Sequence, residues 1–290
     1  MRVLSLLMLL IFSLPALAAE RLPVVASFSL LADLVREVGG EHVEVTSLVG
    51  PDEDAHVHEP SPADVQRLRE ARLVVANGLG FEPWLARLVA SSETRAPVVQ
   101  ASRGVVPRML DEEGVQVPDP HAWNALANAE IYVRNIATAL AEADPAHAPD
   151  YRAREADYLR RVHALLAEAE RELGALAARH PRVVTSHDAF GYLGQAYGIA
   201  FVAPQGLSTE REPSAAEVAA LIRQIRAEGI DAVFVENIKD ARLLRQIAEE
   251  SGARIGGTLY SDALAAEGEA SSYLGLYRHN LRTLVEALGR

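Results

Sequence analysis

The chain has 290 residues, a formal net charge of −12 at pH 7 and no cysteine. The acidic balance argues against nucleic acid and against anionic membrane surfaces as partners. Without disulfides the fold must rest on its hydrophobic core, and this length suffices for one large domain or two medium ones.

Met1-Arg2 is followed by an apolar run from Val3 to Leu14, then Pro15 and Ala16-Leu17-Ala18. One positive charge, an apolar segment and an Ala-x-Ala end predict a secretory signal cleaved after Ala18, with the mature chain in the periplasm. The competing reading, a membrane anchor, is disfavoured because the run falls short of the ~20 apolar residues a span needs. No cysteine follows that could carry a lipid, and loss of Arg2 makes the mature chain slightly more acidic.

The front half alternates short apolar runs with helical patterns. Strands are expected at Val24–Phe28, Val43–Val49, Leu73–Ala76 and Val98–Val99. Helices are expected over Leu30–Val38, closed by Gly39-Gly40, from a Ser61 N-cap with Pro62 at the first helical position, and over Glu82–Ala90. The middle differs. From Asp150 to Arg179 there is no proline and one glycine, and Tyr151, Tyr158, Val162, Leu165, Leu166, Ala169, Leu173 and Leu176 recur at helical spacing. Thirty residues at ~1.5 Å each give a helix of roughly 45 Å. It is either a long surface helix of one domain or, as its length favours, a rigid strut between two lobes. The alternation then resumes, with strands at Val183–Ser186, Ala200–Val202, Ala232–Val235 and Arg254–Leu259. Helices are expected from a Ser214/Glu217 capping box to Ala227, over Asp240–Ser251 with Gly252 beyond it, and over Tyr273–Leu288. The fold class is therefore α/β: two lobes of parallel-type β/α sheet (residues 19–145 and 181–290) joined by one long rigid backbone helix (146–180).

His187, Glu236 and Asp262 fall at or just beyond the carboxyl ends of expected strands, where open parallel sheets bind ligands. His56 lies between the strand ending at Val49 and the helix opening at Ser61. His121 follows Pro118-Asp119-Pro120 and precedes a helix expected from Ala125. Imidazole nitrogen is a preferred donor to zinc, and a carboxylate completes four-coordination. A lone loop histidine is more often a surface group, and His42, His147, His163, His180 and His279 are left with that reading. His58 forms an i, i+2 pair with His56. In extended backbone both rings point the same way, which makes His58 a secondary candidate.

Four blocks, in order, make the chain resemble the periplasmic zinc/manganese solute-binding proteins of metal ABC transporters, over essentially the whole mature sequence. They are Gly50–Asp64 with His56, Asp119-Pro120-His121-Ala122-Trp123, Ser186–Tyr192 with His187, and Thr258–Leu264 with Asp262; Gly206–Ser214 is also similar. The resemblance implies a bilobal protein, not an enzyme, with metal ligands His56, His121, His187 and Asp262 in the interlobe cleft. Glu236 is a secondary candidate, supporting the site from behind. Histidine rather than glutamate at position 187 implies zinc as the transported ligand, in keeping with imidazole being softer than carboxylate. The implied partners are the membrane permease of a metal ABC transporter and a zinc metallochaperone, with the chain itself a monomer. Two features depart from the family pattern. The stretch Leu110–Pro118 carries Asp111-Glu112-Glu113 where zinc-specific relatives have a histidine-rich loop, which weakens the chaperone expectation, and His58 replaces an aromatic residue.

The alternatives are a manganese or iron carrier of the same fold and, from another class, an exported zinc hydrolase. The hydrolase needs an open coordination position and a free general base, a role Glu236 could take only if Asp262 is not a ligand. An adhesin-like surface protein is disfavoured by the missing lipid-attachment cysteine.

Overall fold

The computed structural model describes residues 20–112, 114–230 and 232–289; the expected signal peptide lies outside them. The front half contains β1 (Leu22–Phe28), α1 (Ser29–Gly39), β2 (Val43–Val49), α2 (Pro62–Glu70), β3 (Leu73–Ala76), α3 (Leu85–Ser92) and β4 (Val98–Gln100). The strands form a parallel sheet in the order β2-β1-β3-β4. Strand β1 connects to β2 on one side, while β2 returns to β3 on the other, so the chain switches direction between β1 and β3. The β1 core, from Val24 to Phe28, is almost wholly buried, as a central parallel strand covered on both faces requires.

A hairpin of β5 (Met109–Glu112) and β6 (Val115–Pro118) follows, in a stretch where no strand is expected from the sequence. Two 3₁₀ turns, Ala122–Asn124 and Leu126–Asn128, then lead into α4 (Ala129–Ala143), four residues later than the sequence suggests. Helix α5 (Ala148–Ala177) is continuous for 30 residues, or about 45 Å. Pro149 sits in its first turn, where a missing N–H costs nothing. Tyr151, Tyr158, Val162, Leu165, Ala169 and Leu173 form its buried stripe.

The back half contains β7 (Arg182–Val184), α6 (Gly191–Tyr197), β8 (Ala200–Val202), α7 (Ala215–Glu228), β9 (Ala232–Glu236), α8 (Arg242–Ser251), β10 (Arg254–Leu259) and α9 (Tyr273–Leu288). Its parallel sheet runs β10-β9-β7-β8, with the switch between β7 and β9. Two lobes thus hang on α5. Their cores are not independent. One apolar cluster runs from the first sheet through α4 and α5 to β7, α6 and α9, while a smaller one lies between the second sheet and α7 and α8. Helix α9 belongs in sequence to the second lobe, yet it packs against both α5 and α1.

Candidate metal centre

His56, His121, His187 and Asp262 come from four separate loops, and one donor atom from each falls within 4.8 Å of all the others. His56 Nε2 lies 3.1 Å from His121 Nε2 and 3.3 Å from Asp262 Oδ2. His187 Nε2 lies 3.0 Å from Asp262 Oδ2. Metal–donor bonds of about 2.0–2.1 Å at tetrahedral angles separate neighbouring donors by about 3.3 Å, so these three separations match a four-coordinate site while the remaining pairs are looser, within 4.8 Å. His56 is 5 % exposed and the other three are fully buried.

Each strand end delivers its residue for a local reason. His187 follows β7 and Glu236 ends β9, so both sit at the switch point of the second sheet, where diverging connections leave a crevice. Glu236 Oε1 accepts the N–H groups of Ser186 at 2.7 Å and His187 at 3.1 Å. Its Oε2 lies 2.8 Å from His187 Nδ1. In the first lobe, Asp119 does the same for His121. Its Oδ1 accepts the ring Nδ1–H at 2.9 Å and the backbone N–H at 3.0 Å. Its Oδ2 accepts from Arg108 at 2.7 Å. For His121, the Nδ1–H bond to Asp119 turns Nε2 toward the common centre, the arrangement that orients metal-ligating histidines; His187 Nδ1 faces Glu236 Oε2 at 2.8 Å as a close ion-pair contact, with Nε2 on the side of the cluster. His56 Nε2 and His121 Nε2, 3.1 Å apart, can approach this closely only with a proton or a cation between them. Asp262 Oδ1 is also buried and accepts no hydrogen bond.

The charges are strongly coupled. Burial pulls the His187 imidazole down, but the Glu236 and Asp262 carboxylates outweigh it and hold the ring well above its ordinary range. For His56 burial prevails, against the opposing pull of Asp262, and its basicity is lowered. Burial alone would raise Asp262, yet the neighbouring His187 and His121 rings hold it well below the usual carboxylate range. Asp119 and Glu236 are likewise lowered, against burial, by the histidines they orient.

Several supports have no sequence pattern that marks them. Asn77, at the end of β3, donates to Pro120 O at 2.9 Å and fixes the His121 loop; Tyr132 Oη in turn donates to Asn77 Oδ1 at 2.6 Å. Trp84 Nε1 donates to Ala55 O beside His56 at 2.8 Å. Trp123 Nε1 crosses the seam to Ser261 O at 2.7 Å. Arg108 reaches Asp119 across Gly191, where a β-carbon would fall 1.7 Å from the guanidinium. Phe81, stacked edge-on against Trp123 at 4.6 Å and His56 at 4.8 Å, keeps the floor of the cluster dry.

His58 lies outside the cluster. Residues 56–57 form a turn, not extended backbone, so the two rings diverge. The His58 ring packs edge-on against Trp84 at 4.7 Å, with Nε2 3.5 Å from Asp64. Glu236 stands behind His187, not among the converging atoms.

A family model described as ZnuA, zinc-uptake complex component A periplasmic, matches residues 24–287. The iron-binding protein YfeA of Yersinia pestis is 31 % identical over 95 % of this chain and 89 % of its own length. The manganese-binding lipoprotein MntA of Halalkalibacterium halodurans is 32 % identical over 93 % and 90 %. Among solved structures, the periplasmic zinc binding protein TroA from Treponema pallidum superposes with a TM-score of 0.88 at 28 % identity, covering 93 % of this chain and all of that one. With its two parallel sheets hung on one long helix and its matching sequence blocks, the chain belongs to the ZnuA family, the metal-binding solute-binding proteins of metal ABC transporters.

Proposed function

We propose that the protein captures zinc outside the cytoplasmic membrane, with His56, His121, His187 and Asp262 as its ligands, and delivers the ion to the permease of an ABC transporter. The observation that carries this reading is the convergence of three imidazole Nε2 atoms and one carboxylate in a buried cluster. Three imidazole donors against one hard carboxylate favour zinc over manganese. The stack of apolar and aromatic side chains beneath the donors raises the cost of leaving a partial charge unpaired, which favours a fully coordinated ion.

A manganese- or iron-binding protein of the same fold is the second reading, supported by the relatives named for those metals. A hydrolase fits poorly. Four protein donors leave no open position for water. Glu236, the further carboxylate beside the cluster, spends Oε1 on two backbone N–H groups and sets Oε2 2.8 Å from His187 Nδ1, on the far side of the ring from the converging donors.

The test is elemental analysis of protein purified without added metal, followed by competition between Zn²⁺ and Mn²⁺ for wild type and His187→Ala. Zinc is expected to displace manganese from wild type, and the variant is expected to lose most of its zinc. Preferential retention of manganese by wild type would replace the zinc reading by the second one, and undiminished zinc binding by His187→Ala would remove that residue from the ligand set.

A further inference from the structure

All four donor residues are almost wholly buried, so an ion leaves only when a segment carrying a donor moves. His121 and His187 are held within their own lobes by Asp119 and Glu236. The His56 loop is held differently, from the opposite lobe. Asp54 Oδ1 accepts the His56 backbone N–H at 3.0 Å. Its Oδ2 accepts the Thr209 hydroxyl at 2.7 Å and lies 3.5 Å from Lys239 Nζ. Lys239 also donates to Thr209 O at 3.2 Å and faces Glu212 at 3.9 Å. Two residues earlier, Asp52 accepts from Asn237 Nδ2 at 2.9 Å and from the Ala266 N–H at 3.0 Å. Its own N–H donates to Leu264 O at 2.9 Å. Two aspartates therefore tie the turn that carries His56 to the loops around Thr209 and Asp262.

The composition singles out the same spot. Lys239 is the only lysine in a chain with 28 lysines and arginines. An ammonium is compact and donates in three directions, so it can serve a carboxylate, a carbonyl and a second carboxylate at once; a planar guanidinium cannot reproduce that fan. The Lys239 and Asp54 side chains are 18 % and 11 % exposed, which shields their attraction from solvent far better than an open surface pair.

We infer that Asp54, Thr209 and Lys239 form a latch on the His56 loop that sets the rate at which the bound ion leaves. None of the three is a metal donor; they are positioning residues that act through His56. This rests on the reading of the four-donor cluster as the metal site.

The test uses the full mature chain loaded with Zn²⁺ and chased with excess chelator in a stopped-flow instrument. Thr209→Val and Lys239→Ala are expected to release zinc about tenfold faster or more, the effect of losing a hydrogen bond to a charged group. Thr209→Ser keeps the hydroxyl and is expected to release at the wild-type rate. Stoichiometry and the visible spectrum of the Co²⁺-loaded protein are expected to stay unchanged, since the donor set is intact. The double variant is expected to fall short of the product of the single effects, because both act through Asp54. As a readout independent of metal, acylation of Lys239, followed on its own peptide, is expected to run faster in metal-free Asp54→Asn than in metal-free wild type. Wild-type release rates in Thr209→Val and Lys239→Ala would overturn the latch while leaving the metal site standing. So would a Thr209→Ser variant as fast as Thr209→Val, or a changed Co²⁺ spectrum. Failure of the wild type to bind zinc at all would overturn both.

Discussion

At the His187 ring two carboxylates compete with burial, and the carboxylates win. The two carboxylates therefore favour the protonated ring in the metal-free protein, and an incoming cation competes with that proton. Calorimetric titrations in buffers of different ionisation enthalpy are expected to show net proton release on zinc binding, larger at lower pH. Below the raised His187 value, affinity is expected to fall about tenfold for each pH unit, as one-proton competition requires. Zinc binding without proton release would contradict this charge balance. Glu236 is the other residue on which the ring depends. Glu236→Gln keeps the shape but weakens the hold on Nδ1–H, and zinc affinity is expected to drop about 10–100-fold. An unchanged affinity would reduce Glu236 to a packing role. The converging histidines and Asp262 were legible in the sequence because each lies within a recognisable block. The divergence of His58 was not, since it depends on a turn at residues 56–57 that puts one ring into the cluster and the other against Trp84.

Among the elements, helices announced themselves best where local chemistry closes their ends. The capping boxes at Ser61/Asp64 and Ser214/Glu217 are both formed. Helix α3 starts at Leu85, three residues later than its apolar pattern suggests; the Glu82 carboxylate before it accepts from Ser27 Oγ and Asn77 N, each at 2.6 Å. The hairpin β5–β6 has no counterpart among the expected strands: each of its strands is only four residues long, too short for a periodic pattern to stand out. In α5 the single glycine, Gly174, is exposed, and a β-carbon there would meet nothing within 4 Å. Gly174→Ala is expected to stabilise the fold by ~0.5–1 kcal/mol, through helix propensity and a less flexible unfolded chain. Urea denaturation of the metal-free protein checks this; a lowered midpoint would mean that α5 bends at Gly174.

For the whole molecule, one apolar cluster runs through α5 and α9 from the first lobe to the second. Such packing resists wide hinge motion, because opening the lobes would expose the side chains shared between them. Small-angle scattering and crystal structures of free and zinc-loaded protein are expected to show nearly the same lobe arrangement, with the differences confined to the ligand loops. A large interlobe rotation would contradict this. The depressed values of Asp119 and Glu236 belong to the same scale: each contributes stability above the ordinary carboxylate range that is lost as the pH falls through its lowered folded value.

The sequence by itself determined the repeat of strands and helices, the length of the central helix and the four blocks that contain His56, His121, His187 and Asp262. These are properties of local periodicity, caps and strand ends, which depend on neighbours a few residues away. Only the tertiary structure decided that four donors from separate loops meet within 4.8 Å, that Asn77 and Trp123 brace them, and that the His56 loop is fastened across the seam through Asp54. Such contacts join residues up to 206 positions apart along the chain, as His56 and Asp262 are, and no short-range rule of propensity or spacing encodes the approach of side chains that only the packing of both sheets onto α5 brings together.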